Sequence, residues 1–225
     1  MLGADEAGKG PVLGPMVAAA VRGDPAAIPD AVDDSKRLSP ARREELDALL
    51  RGDDRVAVAV AVVGVDRIDD PATDMNTLTV AGQAEALAGI ARDGDRAIVD
   101  AGDVSESRFA DRVGDAVGAE ATADAAGVAV DVTAEHGADE SYPVVAAASV
   151  IAKVERDRIV AELDAAYRDR GYGGIGSGYP SDPNTREFLR EYVDREGDLP
   201  ECARRSWSTC DDVLAANEQS ALGEF

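Results

Sequence analysis

The sequence contains few cysteines, few aromatic residues and no long apolar segment. Among its 225 residues the only cysteines are Cys202 and Cys210, which lack CxxC spacing, so we expect free reduced thiols rather than a disulfide framework. No run approaches the ~20 apolar residues that a bilayer-spanning helix needs. The N-terminus lacks the basic start and apolar stretch of a signal peptide. We therefore expect a cytoplasmic protein without a membrane partner.

Lysine is also rare, and negative charge dominates. The only lysines are Lys9, Lys36 and Lys153, and 45 acidic side chains against 23 basic ones give a formal net charge of -22. Such a composition is typical of proteins from cells with high internal salt, where carboxylates keep a surface hydrated and their repulsion is screened. The alternative is an ordinary acidic protein that binds a basic partner. A polyanionic substrate is not excluded, because the Debye length in molar salt is only ~3 Å and local basic groups then matter most.

The order of apolar runs predicts an α/β fold with a five-stranded mixed sheet. The length and the 45% hydrophobic composition suit one large domain with a core. Strands are predicted at 1–6, 14–22, 56–64, 96–100 and 128–132, the first three forming an antiparallel start. Helices are predicted at about 40–50, 76–91, 106–117, 144–170, 183–196 and 208–215. Strands followed by helix–strand alternation imply helices on both sides of the sheet.

Three carboxylates stand at or near the ends of predicted strands. Asp5 and Glu6 are adjacent in an apolar first strand and therefore point to opposite faces, and Asp100 ends the strand RAIVD. In a chain with 45 acidic residues such positions also arise by chance, so both interpretations stay open at this point. If strands one and four are neighbours, the three side chains supply the oxygen ligands that Mg²⁺ and Mn²⁺ prefer. Two such ions can hold the attacking water and the leaving oxygen of a phosphodiester.

A glycine-rich loop follows the first strand directly. Gly8 and Gly10 flank Lys9, which leaves backbone amides accessible to a sugar–phosphate beside a cation. The loop lacks the longer patterns of a P-loop or a dinucleotide site, so by itself it is a weak signal.

Seven motifs occur in order over residues 2–210: DEAGKGPVLGP (5–15), DDSKRLSPARREEL (33–46), DMNTL (74–78), AIVDAGD (97–103), AEHGADESYPVVAAASVIAKVERD (134–157), GSGYPSDPNT (176–185) and RRSW (204–207). Together they resemble ribonuclease HII, the archaeal form especially. The resemblance implies a ribonuclease H-like fold with C-terminal helices. It also implies an endonuclease that hydrolyses the RNA strand of RNA–DNA hybrids and nicks 5′ of ribonucleotides embedded in duplex DNA. The resemblance further implies a monomer and a two-metal mechanism with Mg²⁺ or Mn²⁺. It also implies 3′-hydroxyl and 5′-phosphate products and a role in replication and repair.

The resemblance also assigns the catalytic, metal-binding acids. They are Asp5, Glu6, Asp100 and Asp139. The residues alone do not single out the fourth acid, because Asp124 and Asp131 lie nearby and Asp131 falls in a predicted strand; the match of AEHGADESYP favours Asp139.

Substrate-binding residues follow from the same motifs. By resemblance, Gly8, Lys9 and Gly10 read the ribose 2′-hydroxyl, and Tyr179 stacks on the sugar at the RNA-to-DNA junction. Lys9 replaces an arginine that many family members carry, so we expect a monodentate phosphate contact. Lys36 and Lys153 are predicted to contact phosphate or to orient the carboxylates.

Two further residues have less specific predicted roles. We expect His136 to be a structural or site-edge residue, because a single histidine cannot build a zinc site. Trp207 is predicted to pack in the core rather than to stack on a base.

The C-terminal segment QSALGEF carries a spaced set of anchors. Gln219, Leu222 and Phe225 stand at i, i+3 and i+6 and resemble the QxxLxxF core of the peptide that binds the sliding clamp, PCNA. The alternative is a terminus whose Leu222 and Phe225 fold back on the domain. We expect a catalytic domain with its C-terminal helical part over 1–210, and a helix end with a flexible, clamp-docking tail over 211–225.

Two other function classes explain parts of the sequence. A different nuclease or strand-transfer enzyme of the same fold would share the acidic ligands, but it gives no reason for GKG, DSK and SGYPSDP to occur together. A non-enzymatic acidic binding module would explain the charge and nothing else.

Overall fold

The computed structural model describes residues 1–34, 38–120 and 128–223. The predicted substrate-binding residue Lys36 lies outside these residues, as do Asp124 and Phe225. The chain divides into two compact units. Unit 1 comprises Met1–Lys9, Met16–Val63 and Asp74–Arg156, and unit 2 comprises Gly10–Pro15, Gly64–Thr73 and Asp157–Phe225.

Unit 1 contains the sheet. Within the described residues its strands are β1 (Leu2–Ala7), β2 (Met16–Arg22), β3 (Ala57–Val63), β4 (Asp95–Asp100) and β5 (Val130–Glu135). Their order is β3-β2-β1-β4-β5. β2 pairs antiparallel with β1 and with β3, whereas β4 pairs parallel with β1 and with β5. The predicted mixed sheet, its antiparallel start and the adjacency of the first and fourth strands are confirmed.

Several helices begin at a residue whose side chain caps them. In the described residues the helices are α1 (Pro40–Gly52), α2 (Val65–Ile68), α3 (Met75–Ala88), α4 (Glu106–Glu120), α5 (Pro143–Asp169), α6 (Pro183–Glu196) and α7 (Ser208–Gly223). The Ser39 hydroxyl accepts the N–H of Arg42 at the start of α1, and the Asp74 carboxylate accepts that of Thr77 at the start of α3. No helix in this part of the chain is both long and apolar enough to cross a membrane.

Helices cover both faces of the sheet, as predicted. One face packs against α3 and α4, with a core that includes Leu2, Val99, Leu87 and Phe109. The other packs against α1 and the first part of α5, with a core that includes Val21, Leu46 and Ile151. α5 passes so close to β1 that a Cβ at Gly3 would lie 2.5 Å from the carbonyl carbon of Val144. Only glycine permits this approach.

Unit 2 is built around aromatic rings. Its core includes Tyr167, Tyr172, Phe188, Tyr192 and Val193. The side chain of Arg204 is fully buried, and its Nε donates to the Gly14 carbonyl at 2.9 Å. Cys202 and Cys210 are buried and free of disulfide bonds, as predicted, and the Cys210 thiol donates to the Arg204 carbonyl at 3.3 Å.

β5 and α7 differ most from their predicted bounds, and α2 was not predicted. β5 covers Val130–Glu135 rather than 128–132, because it follows the full length of β4, pairing Asp95 with Val130 and Asp100 with Glu135. α7 continues to Gly223 rather than ending near 215, because the segment after 215 is rich in residues that tolerate a helix well.

Candidate active site

Asp5 and Glu6 at the end of β1 have different surroundings because adjacent strand residues point to opposite faces. Asp5 turns toward α5, where the Ser149 hydroxyl donates a hydrogen bond to its carboxylate. Glu6 turns toward α3, where Gln83 Nε2 donates to Glu6 Oε2 at 2.6 Å. Gln83 also donates to the Asp100 carbonyl at 3.0 Å. Each carboxylate of the pair is therefore fixed by a different helix.

Asp100 lies beside this pair at the end of β4. Parallel pairing sets Ala4 opposite Val99, so the next position along each strand brings Asp5 opposite Asp100. The Asp100 carboxylate accepts the backbone N–H of Ala138 at 2.9 Å. Ala138 begins the 3₁₀ turn that carries Asp139, whose side chain is buried. The structure thus brings the three strand-end acids together and sets the turn of Asp139 against Asp100.

The electrostatics of these acids are dominated by burial. The pKa of Asp5 is raised to about 6, mainly by burial and also by the negative charge of Asp100, while Ser149, the Glu6 N–H and Lys153 act in the opposite direction. The pKa of Glu6 is raised to about 8, mainly by burial and also by the negative charge of Asp5, while Lys9 and Gln83 act in the opposite direction. The surroundings of Asp5 and Glu6 therefore disfavour the ionised forms of both carboxyl groups.

These acids have the chemistry of a divalent-cation site but not a chelating geometry. Among the described residues, no three acidic, histidine or cysteine side chains are close enough to enclose one ion. Each carboxylate instead meets hydrogen-bond donors of the protein, such as Ser149, Gln83 and the Ala138 N–H. An oxygen-only set of buried, mutually repelling carboxylates fits a hard cation, and enclosing one requires the side chains to rotate toward it.

The start of the glycine loop lies next to Glu6. Gly8 has a φ of 93°, which a residue with a side chain rarely adopts. Lys9 Nζ donates to the Gly102 carbonyl at 3.1 Å and lies 3.8 Å from Glu6 Oε1. Lys9 is therefore linked to the acids as well as to the loop after β4.

Unit 2 contains a second group of predicted residues. A Cβ at Gly10 would lie 3.8 Å from Tyr179 Cε1, and the Trp207 indole N–H donates to the Gly10 carbonyl at 3.2 Å. Tyr179 is 41% exposed. The Gly178 carbonyl accepts the N–H groups of Val12 and Leu13, which fixes this loop on the segment after Gly10. Trp207 packs partly against the aromatic core, as predicted.

The remaining described candidates, Asp131 and His136, are exposed. Asp131 is exposed and pairs with Arg96 across β4 and β5, four positions before the Asp100–Glu135 pair. Asp139, by contrast, is buried and directly follows Ala138, whose N–H donates to Asp100. His136 is exposed, with Nδ1 2.9 Å from Glu106 Oε1.

Sequence reasoning missed Gln83 and Ser149. Both are fully buried polar residues in the middle of apolar helical segments, AGQAEAL and AAASVIA. An isolated polar residue inside an apolar run was the available signal, because a buried polar group needs a partner.

Solved structures establish the class of this protein. The ribonuclease H2 of Pyrococcus horikoshii OT3 matches with a TM-score of 0.82 at 36% identity, covering 97% of this chain and 100% of that one. The structure described as the PCNA:RNase HII complex from Archaeoglobus fulgidus matches with a TM-score of 0.79 at 38% identity, covering 94% and 95% of the two chains. Fold and acidic strand ends together define a ribonuclease H-type enzyme, a metal-dependent hydrolase and endonuclease.

Sequence comparison then gives the family. The family model described as ribonuclease HII matches residues 2–210. The ribonuclease HII of the halophilic archaeon Haloarcula marismortui is 60% identical over 223 residues, 99% of each chain. The chain belongs to the ribonuclease HII family. The resemblance inferred from the seven motifs is confirmed, and a halophilic relative agrees with the acidic composition.

Proposed function

We propose that this enzyme hydrolyses the RNA strand of RNA–DNA hybrids and nicks duplex DNA on the 5′ side of embedded ribonucleotides, leaving 3′-hydroxyl and 5′-phosphate ends. The observation that supports this most is the grouping of Asp5, Glu6 and Asp100 at the carboxyl ends of β1 and β4, beside the turn of Asp139. Such an activity removes ribonucleotides during replication and repair, with the enzyme acting as a cytoplasmic monomer.

The four acids would hold the divalent cations of a two-metal mechanism, Mg²⁺ or Mn²⁺. The pKa values of Asp5 and Glu6 are raised by burial and, to a smaller extent, by the neighbouring carboxylates, and bound cations would favour the ionised forms of both side chains. Cations held there supply electrostatic stabilisation to the attacking water and to the leaving 3′-oxygen. The chain's part is to supply the carboxylates and to fix them, with Ser149 on Asp5 and Gln83 on Glu6.

Discrimination of RNA from DNA is assigned to the glycine loop and to Tyr179. The 2′-hydroxyl is the group that distinguishes the two sugars, and close backbone approach at Gly8 and Gly10 suits its recognition. Lys9 supplies a cation to the adjacent phosphate, and the exposed ring of Tyr179 offers a stacking surface to the sugar at the junction. Lys36 and Lys153 complete the proposed substrate-binding set, through phosphate contacts or by orienting the carboxylates.

The function is tested with a labelled duplex that contains a single ribonucleotide. With Mn²⁺ or Mg²⁺ we expect one nick on the 5′ side of the ribonucleotide, and the ends are identified by their mobility after phosphatase treatment. The matched control is the same duplex with deoxyribose throughout. Cleavage of both duplexes at the same rate, or of neither, would contradict the proposal.

The C-terminus is proposed to dock on the sliding clamp. Gln219 and Leu222 lie in α7, and Gln219 is exposed. The structure from Archaeoglobus fulgidus, described as a complex of PCNA with RNase HII, supports a clamp as the partner. Clamp docking would bring the enzyme to newly replicated DNA.

A further inference from the structure

Ser149 and Lys153 lie one turn apart on α5 and form a hydrogen-bonded pair. Lys153 Nζ is 2.6 Å from Ser149 Oγ. Ser149 is fully buried and Lys153 is half-buried. Ser149 therefore connects Lys153 to the acidic cluster, because its hydroxyl is also the donor that contacts Asp5.

The chemistry of the three groups fixes the direction of both hydrogen bonds. An ammonium group can only donate, so Ser149 Oγ accepts from Lys153. A hydroxyl has one proton, and it is then available to the Asp5 carboxylate, which can only accept when ionised. Asp5 Oδ1 also accepts the backbone N–H of Glu6 at 2.7 Å. Two fixed donors thus determine how the Asp5 carboxylate is turned.

The orientation of the Asp5 carboxylate should affect metal binding, because Asp5 is a proposed metal ligand beside Asp100. Asp5 and Asp100 directly follow the last paired residues of β1 and β4, and their carboxylates repel each other, so donors are needed to hold the Asp5 carboxylate in place. Groups that hydrogen-bond a metal ligand set its orientation, and their loss typically reduces metal affinity ~10–100-fold.

We propose that Ser149 is a positioning residue for the Asp5 carboxylate and that Lys153 acts through Ser149, by setting the direction of its hydroxyl, rather than by contacting substrate phosphate. This inference rests on the proposed function, since it takes Asp5 as a metal ligand. Of the two roles predicted for Lys153, contact with phosphate and orientation of the carboxylates, the proposal assigns the second.

The test measures Mn²⁺ binding to the full chain without nucleic acid, by electron paramagnetic resonance of the free ion. We expect Ser149→Ala to raise the dissociation constant about tenfold or more, and Ser149→Thr, which keeps the hydroxyl, to restore most of the affinity. The matched control is Thr79→Val, which removes an equally buried hydroxyl on α3 that donates to the Met75 carbonyl at 2.7 Å. This control should bind Mn²⁺ as the parent does. Unchanged affinity in a folded Ser149→Ala variant would overturn the inference.

Lys153→Met tests the second part of the proposal, that Lys153 acts through Ser149. Removing a positive charge near a cation site would by itself strengthen Mn²⁺ binding. Losing the hydrogen bond from Lys153 to Ser149 would instead weaken Mn²⁺ binding, because the Ser149 hydroxyl would no longer be directed at Asp5. We expect weaker binding in Lys153→Met, and a smaller effect of the same substitution in the Ser149→Ala background. Tighter or unchanged Mn²⁺ binding, combined with a raised KM for the duplex, would identify a direct phosphate contact and overturn this part.

Asp100→Asn, measured in parallel, separates this inference from the proposed function. If Asp100→Asn binds Mn²⁺ as the parent does, the metal site itself is wrongly assigned. If Asp100→Asn loses binding while Ser149→Ala retains it, only the positioning role fails. Thermal unfolding of every variant shows whether a loss of binding reflects a loss of the folded state.

Discussion

Adjacent residues of β1 depend on different helices. Asp5 is held from α5 by Ser149, and Glu6 is held from α3 by Gln83. Gln83 Oε1 is buried and has no hydrogen-bond partner among the described residues. The amide is oriented in this way because its nitrogen donates to two acceptors, Glu6 Oε2 and the Asp100 carbonyl. A buried acceptor without a hydrogen bond costs ~1–3 kcal/mol, so the Gln83 amide lowers the free energy of unfolding.

Asp100→Asn is expected to reduce metal-dependent cleavage below about a tenth of the parent rate, because it removes an anionic ligand and keeps the side-chain shape. The Ala138 N–H can still bond to the amide oxygen, and one repelling charge is lost, so the metal-free melting temperature should not fall. Cleavage of a single-ribonucleotide duplex and a circular dichroism melt check the two expectations. Asp131→Asn, at an exposed position, is the control and should keep its activity.

Tyr179→Ala is expected to reduce cleavage at a single ribonucleotide more than it reduces duplex binding. Stacking on a nucleotide is typically worth ~1–3 kcal/mol, which corresponds to roughly a 5- to 150-fold loss in rate. Tyr179→Phe keeps the ring and should cleave at close to the parent rate. Equal rates for the parent and Tyr179→Ala would show that the ring has no part in substrate selection.

At the scale of elements, local patterns located most strands and helices but not their register or their far ends. α6 was predicted at 183–196, and it begins and ends at those positions because Asp182 caps its start and Gly197 closes its end. β5 begins two residues later and ends three residues later than predicted, because pairing with β4, a contact distant in sequence, decides which residues join the ladder. The acids could be predicted from strand ends and motifs, whereas Gln83 and Ser149 acquire a role only when α3 and α5 pack on the sheet.

Deleting residues 219–225 is expected to abolish binding to the cognate sliding clamp and to leave cleavage of a short free duplex unchanged. The segment lies beyond residues 2–210 that match the ribonuclease HII model. Surface plasmon resonance on immobilised clamp measures the first effect, and duplex cleavage measures the second. The double substitution Leu222→Ala and Phe225→Ala is the finer variant and should match the deletion. Clamp binding that survives both changes would show that another surface is responsible.

At the scale of the whole molecule, charge should govern stability. A formal net charge of -22 on 225 residues implies strong self-repulsion when salt is low. Exposed ion pairs, such as Arg55 with Asp53, offset little of it. The folded state therefore depends on screening by the solvent.

Raising KCl from about 0.1 M to about 1 M shortens the Debye length from ~10 Å to ~3 Å, and we expect the melting temperature to rise by several degrees. Differential scanning calorimetry measures the rise. A variant with Asp54, Asp111 and Asp212 changed to Asn removes three exposed charges and should show a smaller dependence on salt. A melting temperature independent of KCl would contradict the expectation.

The burial of both thiols makes the native protein convenient for site-specific labelling. Burial raises the pKa of Cys202 to about 11 and that of Cys210 to about 12, so neither is a thiolate at neutral pH. A maleimide dye should therefore leave the natural cysteines intact. Val104, 93% exposed in the loop after β4, offers a position where one introduced cysteine would carry the dye. A fluorescent reporter can thus be placed a few residues from Asp100 without first removing any cysteine.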